Sequence, residues 1–113
     1  MVNALGVFLA GGAGCLTRYL FGLCIPPIMT IPVATLLVNV LGGFLAGIII
    51  SRFPHLKIIL LTGFLGGFTT FSAFSLECLH FLQNGQIVIA ISYIIASIML
   101  SITAAWCGCL LYA

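Results

Sequence analysis

The chain has 113 residues, 64% of them apolar and 4% charged, with a formal net charge of +2 and a mean hydropathy of +1.43. A small soluble domain needs far more charge to cover its surface, so this composition excludes a water-soluble globule, and no nucleic-acid partner is expected. The chain reads as an all-α integral membrane protein: one four-helix domain over residues 1–113, with spans near 3–23, 31–51, 56–82 and 87–111.

No Lys or Arg precedes the first apolar run, so a cleaved signal peptide lacks its positive n-region and a retained first helix is expected. Its middle, A-G-G-A-G from Ala10 to Gly14, offers small side chains against which another helix can pack closely. Arg18 near the far end either snorkels to the interface or faces inward as an electropositive element at a pore mouth. Pro26, Pro27 and Pro32 then mark a turn and a helix start.

In the second span the one strongly polar residue is Asn39, with Gly43 and Gly47 following on the same face as a G-x-x-x-G pattern. A buried Asn serves either as hydrogen-bonding glue between helices or as a pair of uncharged donors to an anion. Arg52, Phe53, Pro54, His55 and Lys57 form a short basic connection to the third span.

The third span carries the stretch G-F-L-G-G-F-T-T-F-S-A-F-S-L-E, Gly63 to Glu77. Gly66 and Gly67 each cost about 1 kcal/mol relative to alanine in a helix interior. Thr69, Thr70, Ser72 and Ser75 bring hydroxyls to membrane depth, and Phe68, Phe71 and Phe74 recur every three residues. Together these features predict a helix broken around Gly66 to Thr69. In a membrane such a break is tolerated only where the freed carbonyls are buried in protein or line a cavity. Glu77 is the only acid in the chain, so no paired-carboxylate site can form within one subunit. Gln83 to Gln86 reads as a tight polar turn.

The fourth span places Tyr93, Ser97 and Ser101 at strict four-residue spacing, a hydroxyl stripe that reads as a polar wall. Trp106 and Tyr112 read as interface anchors. The five cysteines form no C-x-x-C pair and read as small apolar residues. With four spans, the Arg52–Lys57 connection and the termini share one side and Arg18 lies toward the other, a weak orientation bias. Such a chain can insert either way, which suggests an antiparallel dimer.

On these residues the sequence resembles the Fluc/CrcB fluoride channel family. That family's third-helix signature, G-x-x-G-G-x-T-T-F-S-T-F-S-x-E, is matched by Gly63 to Glu77 with Ala73 where Thr is common. The resemblance extends to Gly11–Tyr19, to Asn39 with Gly42 and Gly43, and to the Tyr93, Ser97, Ser101 stripe. It implies a dual-topology homodimer, or a heterodimer with a paralogue, in the bacterial plasma membrane, exporting fluoride passively and protecting the cell from its toxicity. By motif position it implies a fluoride pathway of Asn39, Phe71, Phe74, Ser75, Tyr93, Ser97 and Ser101, with Arg18 and Glu77 toward the pore ends. It also implies a structural Na+ on the dimer axis, bound by the backbone carbonyls of Gly66 and Thr69 from both subunits.

The chemistry agrees with that implication. Fluoride is small and strongly hydrated, so its conduit must replace water with neutral donors that do not trap it. Aromatic rings are electropositive at the edge and can face an anion while excluding water. The rival readings are a small multidrug-type proton-coupled exporter and a non-transporting helix-bundle subunit. The first needs an embedded acid in the first span, where none occurs. No nucleophile–base set, metal cluster or phosphate loop suggests an enzyme.

Overall fold

Proline and glycine set the boundaries of the helices. In the computed structural model, which describes residues 2–112, helix α1 covers Val2–Cys24 and α2 covers Val33–Arg52. Pro32 is the N-cap of α2, so the helix starts two residues after the expected Ile31. A 3-10 turn, Pro54–Leu56, leads into the third span. Its first half, α3, is a π-helical stretch, Ile58–Leu65, running into the α-helical turn Gly66–Phe68. The second half, α4, covers Phe71–Gln83, and α5 covers Ile87–Leu111. Four segments, Asn3–Cys24, Val33–Arg52, Ile58–Gln83 and Ile87–Leu111, are long and apolar enough to cross a membrane. The longest dimension is 47 Å, close to the roughly 40–45 Å of a bilayer with its headgroups.

The helices associate as two parallel pairs, α1 with α3 and α2 with α5, and small residues set both seams. Along α1 and α3, a Cβ on Gly14 would collide with the Phe64 carbonyl and one on Gly67 with the Gly11 carbonyl. Along α2 and α5, a Cβ on Gly47 would collide with the Ala105 carbonyl and one on Gly108 with the Phe44 carbonyl. Backbones this close gain dispersion and weak polar contacts, which drive helix association where lipid removes the hydrophobic term. Ser51 Oγ adds a hydrogen bond to the Cys109 carbonyl at 3.1 Å near the end of the α2–α5 seam.

Two apolar clusters complete the interior. Phe74, Cys78, Phe81, Ala90 and Tyr93 join α4 to α5, and Val38, Ile49, Leu65 and Phe68 join α2 to α3. The α4–α5 turn closes as a Schellman motif: Gly85 has φ 73°, its N–H reaches the Leu82 carbonyl, and the Gln86 N–H reaches the Phe81 carbonyl. The α1–α2 connection is less comfortable. Ile28 and Ile31 exchange backbone hydrogen bonds around Met29 and Thr30, which both lie at positive φ, 51° and 69°. That backbone normally calls for Asn and Gly.

Candidate functional site

The third span leaves the helix at Thr69 (φ −83°, ψ 158°) and Thr70 (φ −148°, ψ 120°), two extended β-branched residues. The break therefore falls at the Thr69 end of the expected Gly66–Thr69 interval and takes in Thr70. Gly66 itself is helical (φ −60°, ψ −34°), and Gly67 serves the close approach of α1.

The backbone groups opened by the break have partners from three directions. The Leu65 carbonyl accepts from the Thr69 N–H (3.0 Å) and hydroxyl (2.8 Å). The Gly67 carbonyl accepts from Arg18 Nε of α1 at 3.1 Å. The Thr70 N–H donates to Asn39 Oδ1 at 2.8 Å, and Asn39 Nδ2 donates back to the Thr70 carbonyl at 3.0 Å. The Thr70 hydroxyl then caps α4 by accepting from the Ala73 N–H at 3.1 Å. As a result, the N–H groups four residues beyond Gly66 and Thr69 are both spent elsewhere. Neither carbonyl has its helical partner.

Both of those residues line an open groove of about 540 Å³, together with Asn39, Phe71, Phe74, Ser97 and Ser101. The two phenylalanines meet at 5.5 Å between ring centroids, tilted by 49°. Phe74 is 8% exposed and Phe71 76% exposed, so one ring is fixed in the interior while the other projects from the subunit. Ser97 Oγ is buried on this groove and has no hydrogen-bond partner among the described residues.

Ser75 and Tyr93 do not line that groove. Ser75 Oγ bonds back to the Phe71 carbonyl at 2.9 Å on an exposed face. Tyr93 is buried against Phe74 (5.4 Å between centroids), and its hydroxyl donates to Glu77 Oε1 at 2.7 Å. Glu77 Oε2 accepts from Thr35 Oγ1 at 2.6 Å. The half-buried carboxylate is thus held by hydroxyls from α2 and α5.

A smaller groove of about 270 Å³ lies on the other side of the break, lined by Arg18, Tyr19, Thr35, Thr70 and Ala73 among others. Ala73, where the family signature has Thr, faces this side. Arg18 reaches the Gly67 carbonyl and also places Nη2 3.2 Å from Cys15 Sγ, so it spans the distance between this groove and the end of α3. Sequence reasoning missed Thr35. Its signal was available: it sits four residues before Asn39, on the same face of an otherwise apolar helix.

A family model described as CrcB-like protein, Camphor Resistance (CrcB), matches residues 5–109. The chain is 46% identical to a fluoride-specific ion channel FluC of Saccharophagus degradans, over 88% of this chain and 81% of that protein. It is 41% identical to one from Flavobacterium psychrophilum, over 90% of each chain, and 39% identical to one from Granulibacter bethesdensis, over 92% of this chain and 89% of that protein. With four membrane-spanning segments, a broken third span and a match from residue 5 to residue 109, the chain belongs to the CrcB family.

Proposed function

We propose that this chain is a fluoride channel, a multi-pass bacterial membrane protein that lets F− leave the cell down its electrochemical gradient and so protects it from fluoride. The carrying observation is the open groove that brings Asn39, Phe71, Phe74, Ser97 and Ser101 onto one wall, in a chain that belongs to the CrcB family. Neutral amide and hydroxyl donors with aromatic ring edges suit a small, hard anion: they replace part of its water shell without a fixed cation to trap it. It is no enzyme. The exporter and helix-bundle readings gain no support, since the relatives carry the channel name.

Within this reading the pathway runs past Asn39, Phe71, Phe74, Ser97 and Ser101, with Ser75, Tyr93, Arg18 and Glu77 at its margins. Phe71 projects from the subunit, and the groove is open, which favours completion by a second, antiparallel copy of the chain. The Gly66 and Thr69 carbonyls fit a structural Na+ on that dimer axis. Both lack their helical N–H partner, and a hard cation prefers such oxygens. Bound there, the ion would supply positive charge to hold two chain breaks together.

The test is flux. Proteoliposomes loaded with fluoride and shunted in potential should release it rapidly to an external electrode. Phe71→Ile should abolish that release, and chloride should not move. A folded oligomer that passes no fluoride overturns the proposal, and proton-coupled uptake of a cationic drug redirects it to the exporter.

A further inference from the structure

We infer that Asn39 is the positioning residue that opens the third span. In a continuous helix the Thr70 N–H would bond to the Gly66 carbonyl. Here it bonds to Asn39 Oδ1 at 2.8 Å, and Asn39 Nδ2 bonds to the carbonyl of the same residue at 3.0 Å. The carboxamide thus pairs with Thr70 as a neighbouring β-strand would, through one acceptor and one donor. The extended dihedrals of Thr70 (φ −148°, ψ 120°) are those of a strand residue.

The side chain is specific to this task. An amide presents an acceptor and a donor in one plane; a carboxylate has acceptors only, and a hydroxyl has a single atom to offer. A second feature of α2 serves the same end. Three residues further on, the space a Cβ would take at Gly42 is filled by Thr69 Cγ2. Successive turns of α2 therefore receive the two residues of the break, Gly42 the side chain of Thr69 and Asn39 the backbone of Thr70. By taking the Thr70 N–H, Asn39 also frees the Gly66 carbonyl toward the groove that Gly66 lines. A donor role toward the anion falls to the one Nδ2 hydrogen left over.

The inference concerns the backbone and not the transported ion, so its test needs no fluoride and its failure is separate from failure of the channel reading. The full-length protein is labelled with ¹³C,¹⁵N-threonine and ¹⁵N-phenylalanine and reconstituted in bilayers for solid-state NMR. The sequence has a single Thr–Thr step, Thr69–Thr70, and a single Thr–Phe step, Thr70–Phe71, which assign Thr70 without ambiguity. Wild type should give extended Thr70 Cα and Cβ shifts. Asn39→Ala should move them to helical values, and Asn39→Asp, which keeps the acceptor, should restore them with a displaced Thr70 amide shift. Unchanged Thr70 shifts in a folded Asn39→Ala protein overturn the inference. If that variant does not fold, Asn39→Asp decides alone: a Thr70 amide shift identical to wild type means that Oδ1 is not its partner.

Discussion

Arg18 donates through Nε to the Gly67 carbonyl at 3.1 Å, which sets a fixed positive charge on the C-terminal end of half-helix α3. Helix C-termini carry partial negative charge, and a cation there contributes about 0.3–1 kcal/mol, up to ~2 kcal/mol when partly buried. Arg18→Ala should lower the thermal midpoint in detergent by an amount equivalent to about 1–2 kcal/mol. Arg18→Lys should fall between the two, because it keeps the charge and loses the planar donor fork. An alanine variant as stable as wild type would show that the contact contributes nothing.

Glu77 is held by two hydroxyls, and each bond should be measurable. A hydrogen bond of this kind contributes about 0.5–1.5 kcal/mol net. In a double-mutant cycle, Tyr93→Phe and Glu77→Leu should therefore couple by about 1 kcal/mol in unfolding experiments. Thr35→Val should couple to Glu77→Leu in the same sense. Additive effects would mean that the 2.7 Å and 2.6 Å bonds are not made in the membrane.

The helix seams predict a contrast among glycines. Gly47→Ala pushes a methyl into the Ala105 carbonyl and should destabilise by about 1–3 kcal/mol through overpacking. Gly12 and Gly22 face open space, so alanine there should be neutral or stabilising by up to about 1 kcal/mol. Thermal unfolding of the three variants side by side reads this directly. Equal effects at all three would remove the steric explanation.

The Ile28–Ile31 turn stores strain that a substitution can release. Left-handed backbone costs a side-chain-bearing residue roughly 1–2 kcal/mol. Met29→Asn with Thr30→Gly should raise the thermal midpoint while leaving fluoride flux unchanged. A lower midpoint would mean that these residues contribute more by packing than they lose in strain.

Removal of sodium tests the proposed axial cation. Purification with a large organic cation in place of Na+ should reduce the fraction of the proposed dimer on size exclusion and lower its thermal midpoint. Identical behaviour in both buffers would exclude an ion at the Gly66 and Thr69 carbonyls.

Much of this was legible in the chain because membrane residence leaves few solutions. Apolar length marked the spans, and two glycines beside two threonines marked the break. The hydroxyl stripe pointed to one face of α5. What periodicity could not resolve was the partner of each polar group. Tyr93 and Ser97 share a face at four-residue spacing and both are buried, yet the Tyr93 hydroxyl is committed to Glu77 while Ser97 lies on the groove. Gly66 and Gly67 carried the strongest helix-breaking signal and stayed helical, while the break falls at Thr69 and Thr70, whose backbone partner Asn39 lies far away in sequence.

That distance bears on biogenesis. Third-span backbone groups exposed to lipid must be satisfied at every stage. The partners that satisfy the open form, Arg18 and Asn39, belong to the first and second spans. A third span entering the bilayer unaccompanied would have only its own backbone and hydroxyls to bond with, which favours a continuous helix. On that argument the gap between α3 and α4 would be a product of assembly, opening when the earlier spans dock.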